Sequence, residues 1–368
     1  MSYQSARLGV FPVYCMVMLG IGLMNHVMVL PLLLQEARRS AWISVLLTLV
    51  PYLAWIAALH FIMKRTRQQA LIPWLRNRFG PFASWSMRIV FLIYLLFISA
   101  TTLKDTVTWT HGTYLSRTPE FVLSLSLMLL CFSASRLGIR AIAFVAGILL
   151  PFVVIFGDFV MSANLPRKDY KLLTPMLEDG IMPVLAGSMY VGGGLAELVI
   201  LLLLQHQLKK NVRYWSLALL GVFLGMLIFG PVTGAISEFG PAIAASLRYP
   251  AFEEWRLVKI GRYIQHIDFL SIYQWISGAF IRISVAIYLM VEMMTDGKRS
   301  DDKRSVITLA CVCIALIALM GMPFSDMQYL SLMKNVYLPL SLVLATGVTV
   351  ILFLLALIPE RTKVKTNG

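Results

Sequence analysis

The chain has 368 residues, of which 59% are hydrophobic and 14% charged, and its net charge is +14. A soluble domain of that composition would expose too much apolar surface, and the long apolar runs read as an all-α polytopic membrane protein in a lipid bilayer. The basic excess excludes no membrane role and marks no nucleic-acid partner, because Lys and Arg fall between apolar runs, where they set orientation, and not in one basic patch.

At about 20 apolar residues per crossing, the sequence predicts ten transmembrane helices in a single domain. Their limits are approximately 8–34, 41–63, 83–112, 120–136, 138–161, 181–205, 214–236, 268–294, 305–322 and 335–358. The first carries Gly20-Ile21-Gly22, then the polar pair Asn25-His26 and Pro31. Late in the third, Lys104 and Asp105 either bracket an approach path or form an interfacial ion pair worth little. Residues 162–181 and 237–267 are connectors too short for separate domains. The second is expected to hold short interfacial helices with Trp and Tyr at headgroup level.

The sixth span is the most informative. It reads MPVLAGSMYVGGGLAELVILLLLQ, with Gly192-Gly193-Gly194 near its middle and Glu197 three positions later. Each glycine weakens a helix by about 1 kcal/mol relative to alanine. Lipid tolerates interrupted backbone only where it faces protein or a water-lined cavity. The span is therefore expected to be a broken helix with a site at the break. The eighth span carries Arg282 mid-way, at a cost of about 2.5–3.5 kcal/mol for arginine at a helix centre, and Glu197 is its natural counter-ion. Such a pair either locks helices together or serves a ligand or gate. Asp158 and Glu292 lie near span ends, within reach of headgroup water, and the basic tail from Glu360 is expected to be disordered.

The Lys and Arg distribution favours both termini on the cytoplasmic side. Ten spans divide into two repeats, about 8–161 and 181–358. Each would hold five spans, an odd number, so the halves insert with opposite orientation. Glycine interruptions in the first span of each half are the sequence pointer to an inverted-repeat transporter fold with broken helices 1 and 6. The alternative is that these glycines only permit close helix packing. Their matching positions favour the broken-helix reading.

No enzyme is indicated. His26, His60, His111, His206 and His266 are scattered without the i, i+4 spacing of a helical metal site. Cys15, Cys131, Cys311 and Cys313 lie in apolar runs without zinc spacing and are expected to be buried thiols. The glycine run is not placed as a phosphate loop, and no cofactor is predicted. A broken helix instead offers free N–H groups to a carboxylate and free carbonyls to an ammonium. A zwitterionic amino acid supplies both, although other small solutes fit.

Residues 247–288 carry a further pattern: Tyr249-Pro250, Arg256-Leu257-Val258, His266-Ile267-Asp268, Trp275 and Arg282-Ile283-Ser284. This pattern resembles the B subunit of spore germinant receptors, in the spore permease branch of the amino acid/polyamine/organocation transporter superfamily. Gly20-Ile21-Gly22 with Pro31, Leu173-Thr174-Pro175, and Glu197 followed by an apolar run and Lys209-Lys210 support it. The resemblance implies a ten-helix fold of the leucine-transporter type in the inner membrane of the endospore. It also implies a complex with an A-type membrane subunit and a C-type lipoprotein, sensing a small nutrient, often an amino acid, to start germination. It places the ligand region at Gly20, Ile21 and Gly22 in the first span and at Val191, Gly192, Gly193, Gly194 and Glu197 in the sixth, with Arg282 and Ser284 matching in the eighth. Asn25-His26 and the third consecutive glycine depart from the pattern and would alter ligand choice, so alanine is not carried over as the germinant. Three readings stay open: a receptor whose ligand shifts a conformational equilibrium, an amino acid transporter coupled to Na⁺ or H⁺, and a scaffold or water and ion conduit that no longer binds ligand.

Overall fold

A computed structural model describes residues 7–259, 266–297 and 302–359. The basic tail and part of the 237–267 connector lie outside the described residues. Among those described, the chain is a bundle of helices with one isolated backbone bridge, Leu8 to Leu208.

Among the described residues, nine helical stretches are long and apolar enough to cross a membrane. The first, Val10–Arg65, is 56 residues long and covers the first two expected spans. It contains α1 (Val10–Leu23), α2 (Leu30–Ala37) and α3 (Ala41–Arg65). A 3₁₀ turn at Arg38–Ser40, with Arg38 at φ 43°, separates the last two. Then follow α4 (Leu71–Thr113), α5 (Glu120–Leu137) and α6 (Ile139–Ala163). The α4 stretch starts earlier than expected because a short helix precedes the span and joins it at Gly80, whose φ of 87° suits only glycine. The fifth stretch, Met182–Gln207, covers the sixth expected span and contains α7 (Met182–Leu195) and the single turn α8 (Leu201–Leu204). Next come α9 (Tyr214–Phe239), α10 (Pro241–Ser246), α11 (Pro250–Leu257), α12 (Leu270–Met294) and α13 (Lys303–Met320). The last stretch contains α14 (Asp326–Leu332) and α15 (Leu338–Leu357). It begins nine residues before the expected start, where Ser325 and Gln328 form a capping box.

Two stretches form the interior. The most apolar windows of Met182–Gln207 and Leu270–Met294 are 83% and 78% buried, against 22% for Lys303–Met320. α12 packs on α1, α4, α5, α6 and α13, and α7 packs on α2, α3 and α15. The outer helices turn large apolar side chains outward, among them Phe144, Phe152 and Ile155 on α6, as a lipid-facing surface requires. One face of the bundle carries residues 164–181 with α10 and α11, and is called the connector face below. The opposite face carries Leu8 bonded to Gln207 and Lys209.

The structure corrects several expectations. Cys15, Cys131 and Cys313 are buried, but Cys311 is exposed, because residues two apart on a helix point to different sides. Lys104 and Asp105 do not pair with each other: Lys104 reaches Glu120 at 3.5 Å and Asp105 reaches Arg248 at 2.7 Å. Glu292 does not only meet headgroup water, since His206 Nε2 lies 2.9 Å from it. In the second connector Trp255 is buried against Phe156 and Phe159 of α6 rather than spread at headgroup level.

Candidate functional site

The glycine runs do not break their helices. Gly20 and Gly22 lie within α1, and Gly192, Gly193 and Gly194 within α7. Departure from α geometry comes just after each run: a π-helical segment at Met24–Val29 and a 3₁₀ segment at Ala196–Ile200. α1 and α7 are each 14 residues long before the change. A third departure, the π-helical segment Met333–Tyr337, joins α14 to α15.

The glycines of the fifth stretch serve close approach instead. A Cβ on Gly193 would sit 2.3 Å from the Leu338 carbonyl oxygen, and one on Gly194 would sit 2.6 Å from Val29 Cγ2 and 3.0 Å from Asn25 Oδ1. A Cβ on Gly192 would meet Leu342 Cδ1 at 3.2 Å. These glycines bring α7 against the first and last stretches, which seats the irregular segments around a common centre. Val191 and Ile21 are buried in the same packing.

That centre is an ion pair. Arg282 on α12 donates through Nη2 to Glu197 Oε1, and the two side chains are 3% and 2% exposed. Tyr337, at the end of the second π segment, donates to Glu197 Oε1 at 2.7 Å and accepts from Arg282 Nη2 at 3.2 Å. Met28, in the first π segment, lies with Sδ 3.5 Å from Arg282 Nη1. All three irregular segments thus deliver a side chain to one guanidinium and its carboxylate. Gly20 backs the pair: a Cβ there would contact Arg282 Cβ and Cγ at an ordinary 3.6 Å. Gly22 lies further off, its carbonyl accepting from His26 Nδ1 at 2.9 Å.

Two polar atoms at this centre have no partner among the described residues. Asn25 is fully buried and donates through Nδ2 to the Leu224 carbonyl at 3.3 Å, but its Oδ1 accepts nothing. Arg282 Nε is likewise unmatched. A buried polar atom without a partner costs about 1–3 kcal/mol, so each marks a place where a bound molecule has something to gain.

Ser284 is not brought to the centre. It lies two residues beyond Arg282 on α12, hence on another side of the helix, and its carbonyl accepts from Ser135 Oγ of α5 at 3.1 Å. Sequence reasoning missed Met28 and Tyr337 as site residues, and noted Asn25 only as a polar departure that would alter ligand choice. Asn25 had a signal, a polar residue inside an apolar span. Tyr337 had none, because its role depends on a contact 140 residues away in sequence.

A polar line leads from the centre to the connector face. Tyr94 of α4 meets Ser341 Oγ at 2.8 Å, and Ser341 donates to the Gly193 carbonyl at 2.8 Å. Tyr329 donates to the Thr101 carbonyl at 3.3 Å. At the top, Arg248 donates to Asp105 at 2.7 Å and grips Asp326 with two bonds of 2.9 and 3.0 Å. Its guanidinium also lies 4.2 Å from the Tyr249 ring centre. Burial opposes the Arg248 charge, but Asp105 and Asp326 outweigh that cost, and the group holds its proton more tightly than usual. One side chain therefore ties α4, the α10–α11 junction and α14 together.

A family model described as "Spore germination protein" matches residues 8–328. The chain is 39% identical over 320 residues to "Spore germination protein XB" of Bacillus anthracis, covering 87% of this chain and 89% of that protein. It is 25% identical over 282 residues to "Putative spore germination protein YfkT" of Bacillus subtilis (strain 168), at 75% and 76% coverage. Over 261 residues it is 23% identical to "Spore germination protein KB" of the same organism, at 69% and 70% coverage. With the family model covering most of its length and a relative this similar, the chain belongs to the spore germination protein family of membrane spore permeases.

Proposed function

We propose that the chain is the membrane subunit of a spore germinant receptor, binding a small nutrient where the first, fifth, seventh and last stretches meet and so helping to trigger germination. The observation that carries this reading is the convergence of three non-α segments on one buried Arg–Glu pair. π-bulges inside helices are frequent at functional sites, because the extra residue frees backbone groups and re-aims side chains. An amino acid fits the chemistry. Glu197 and Arg282 neutralise each other, Asn25 Oδ1 offers an acceptor to an ammonium, and Arg282 Nε offers a donor to a carboxylate. Gly20, Ile21, Gly22, Val191 and Gly192 to Gly194 form the packing that holds these groups, while Ser284 serves α5.

The same reading takes the fold as ten crossings, with Val10–Arg65 counted as two, in a 5+5 inverted repeat of the leucine-transporter type. The equal lengths of α1 and α7 before their irregular segments support it. Both termini are then cytoplasmic, the connector face is the outer one, and the chain sits in the inner membrane of the endospore with an A-type membrane subunit and a C-type lipoprotein. On the connector face a cavity of about 500 Å³, lined among others by Gln35, Arg38, Arg39, Glu178, Asp179 and Ser246, lies between the α2–α3 turn and the segment leading into the fifth stretch.

An ion-coupled amino acid transporter is the second reading, favoured by a buried carboxylate, Glu197, at the centre of the bundle. Spores carrying Asn25→Leu test the receptor reading: the nutrient response is expected to disappear while the protein remains in the membrane, and an unchanged response would reject the site. Uptake of a bound amino acid into proteoliposomes driven by a Na⁺ or H⁺ gradient would replace the receptor reading with the transporter one.

A further inference from the structure

A second buried charge cluster lies on the connector face, apart from the Glu197–Arg282 centre. Glu238 ends α9 with its side chain fully enclosed, and Lys168, 1% exposed, holds its Nζ 3.3 Å from Glu238 Oε1. Asn164 Nδ2 donates to Glu238 Oε2 at 3.3 Å and to the Glu254 carbonyl at 2.7 Å. Glu254, on α11, is 4% exposed, and its Oε1 has no donor among the described residues. The Glu254 carboxyl lies over Gly234, where a Cβ would come within 2.9 Å of Oε1. Gly234 and Glu238 are one turn apart on α9, so both carboxyls occupy the same strip of that helix.

One lysine therefore serves two enclosed carboxyls. Ionising the second without a donor is strongly disfavoured. Burial first, and the negative charge of Glu238 second, hold the Glu254 carboxyl well above the usual range, with partial relief from Lys168. Among the described residues, the other charges around it are engaged elsewhere or exposed. On the neighbouring connector, Arg167 donates to the Leu257 carbonyl and Asp169 caps Lys171 N at 3.0 Å. On α11 itself Glu253 and Arg256 pair at 3.0 Å. Across from it, Glu36 of α2 is held by Lys334 at 2.9 Å, and His26 is bonded to the Gly22 carbonyl. Asp158 of α6 is exposed, and Asp268 accepts from Tyr114 at 3.2 Å.

We propose that Glu254, facing Glu238 and Lys168, is a proton-binding site that fastens α11 to α9 on the connector face. With its proton, the carboxyl rests on Gly234. Without it, two carboxylates share one lysine, and repulsion draws α11 away from α9. α11 begins immediately after Arg248 and Tyr249, so this movement loosens the side chain that bridges Asp105 and Asp326. Protons thereby act as an input separate from whatever binds at Glu197 and Arg282, and the inference stands whether or not that centre binds a nutrient.

The test uses the purified full-length protein, titrated by infrared difference spectroscopy, with amide exchange of residues 251–257 followed in parallel. A protonated-carboxyl band is expected to disappear with a midpoint clearly above the ordinary Glu value of about 4.3. Exchange in α11 should rise through the same midpoint beyond its intrinsic pH dependence. Glu254→Gln should lack the band and keep α11 protected at every pH. Glu238→Gln gives a second reading that survives poor folding of the first: it removes the repelling charge and frees Lys168, so the midpoint should fall by a unit or more, a tenfold or greater change in proton affinity. An unshifted midpoint in Glu238→Gln, a band that persists in Glu254→Gln, or wild-type titration at the ordinary value would each overturn the assignment.

Discussion

Arg282 and Glu197 are 85 residues apart in the chain, yet they form an ion pair enclosed on all sides by helices. Their burial explains why the irregular segments cluster there. A guanidinium and a carboxylate removed from water need their remaining donors and acceptors matched. Regular α-helices alone would not aim Met28, Glu197 and Tyr337 at one point. The π and 3₁₀ segments rotate and shift the following side chains by a fraction of a turn, and so place the three groups.

The pair itself should behave as a unit. Glu197→Gln and Arg282→Gln each leave one partner uncompensated, and each is expected to cost about 3–5 kcal/mol. The double variant should lose clearly less than the sum, by about 1–3 kcal/mol. Thermal unfolding of the purified wild type, single and double variants checks this, and simple additivity would dissolve the unit.

Tyr337 supplies one hydroxyl to both members. Tyr337→Phe keeps the ring and removes the bonds to Glu197 and Arg282, at an expected cost of about 1–3 kcal/mol. Its effect should vanish in a Glu197→Gln, Arg282→Gln background, where the charges it serves are gone. An equal loss in both backgrounds, read by the same unfolding experiment, would show the hydroxyl acting elsewhere.

Close approach at Gly193 makes a sharp steric prediction. A methyl there meets the Leu338 backbone carbonyl, which cannot rotate away, so Gly193→Ala should cost about 1–3 kcal/mol despite alanine's better helix propensity. At Gly112 a Cβ meets nothing within 4 Å, and Gly112→Ala should be neutral or stabilising. Gly193→Val should also remove any ligand response, because the fifth and last stretches can no longer meet.

How much of this was legible beforehand follows from which forces are local. Apolar runs of bilayer length report burial in lipid directly, so the positions of the spans could be read from composition. Arg282 and Glu197 stood out because charge in a span is costly and demands a partner. The pairing of Lys104 with Asp105 failed, since adjacent residues on a helix do not face each other and Arg248 arrives from a distant connector. The glycine run was informative for a different reason than expected: it permits contact rather than interrupting the helix, and the irregularity falls on the residues just after it. Nothing in the sequence tells a π segment at Met333–Tyr337 from plain α-helix, because the choice is made by packing against Gly193 and Glu197.

The Arg248 bridge predicts an order of effects. Arg248→Ala leaves Asp105 buried and uncompensated and should cost about 3–5 kcal/mol. Asp105→Asn should cost less, because Arg248 keeps Asp326. Asp326 is 40% exposed, and Asp326→Asn should cost no more than about 1 kcal/mol. Unfolding of the three variants side by side gives the order, and a larger loss in Asp326→Asn than in Arg248→Ala would contradict it.

The central claim is that a small solute binds where the irregular segments meet, and equilibrium binding tests it most directly. Purified protein would be presented with a panel of radiolabelled amino acids, with wild type and Asn25→Leu compared at matched thermal stability. The account predicts saturable binding of at least one panel member to wild type, loss of that binding in Asn25→Leu, and no accumulation in proteoliposomes. Binding of equal affinity in both proteins would contradict it, because the solute would then be held somewhere other than beside Asn25, Glu197 and Arg282.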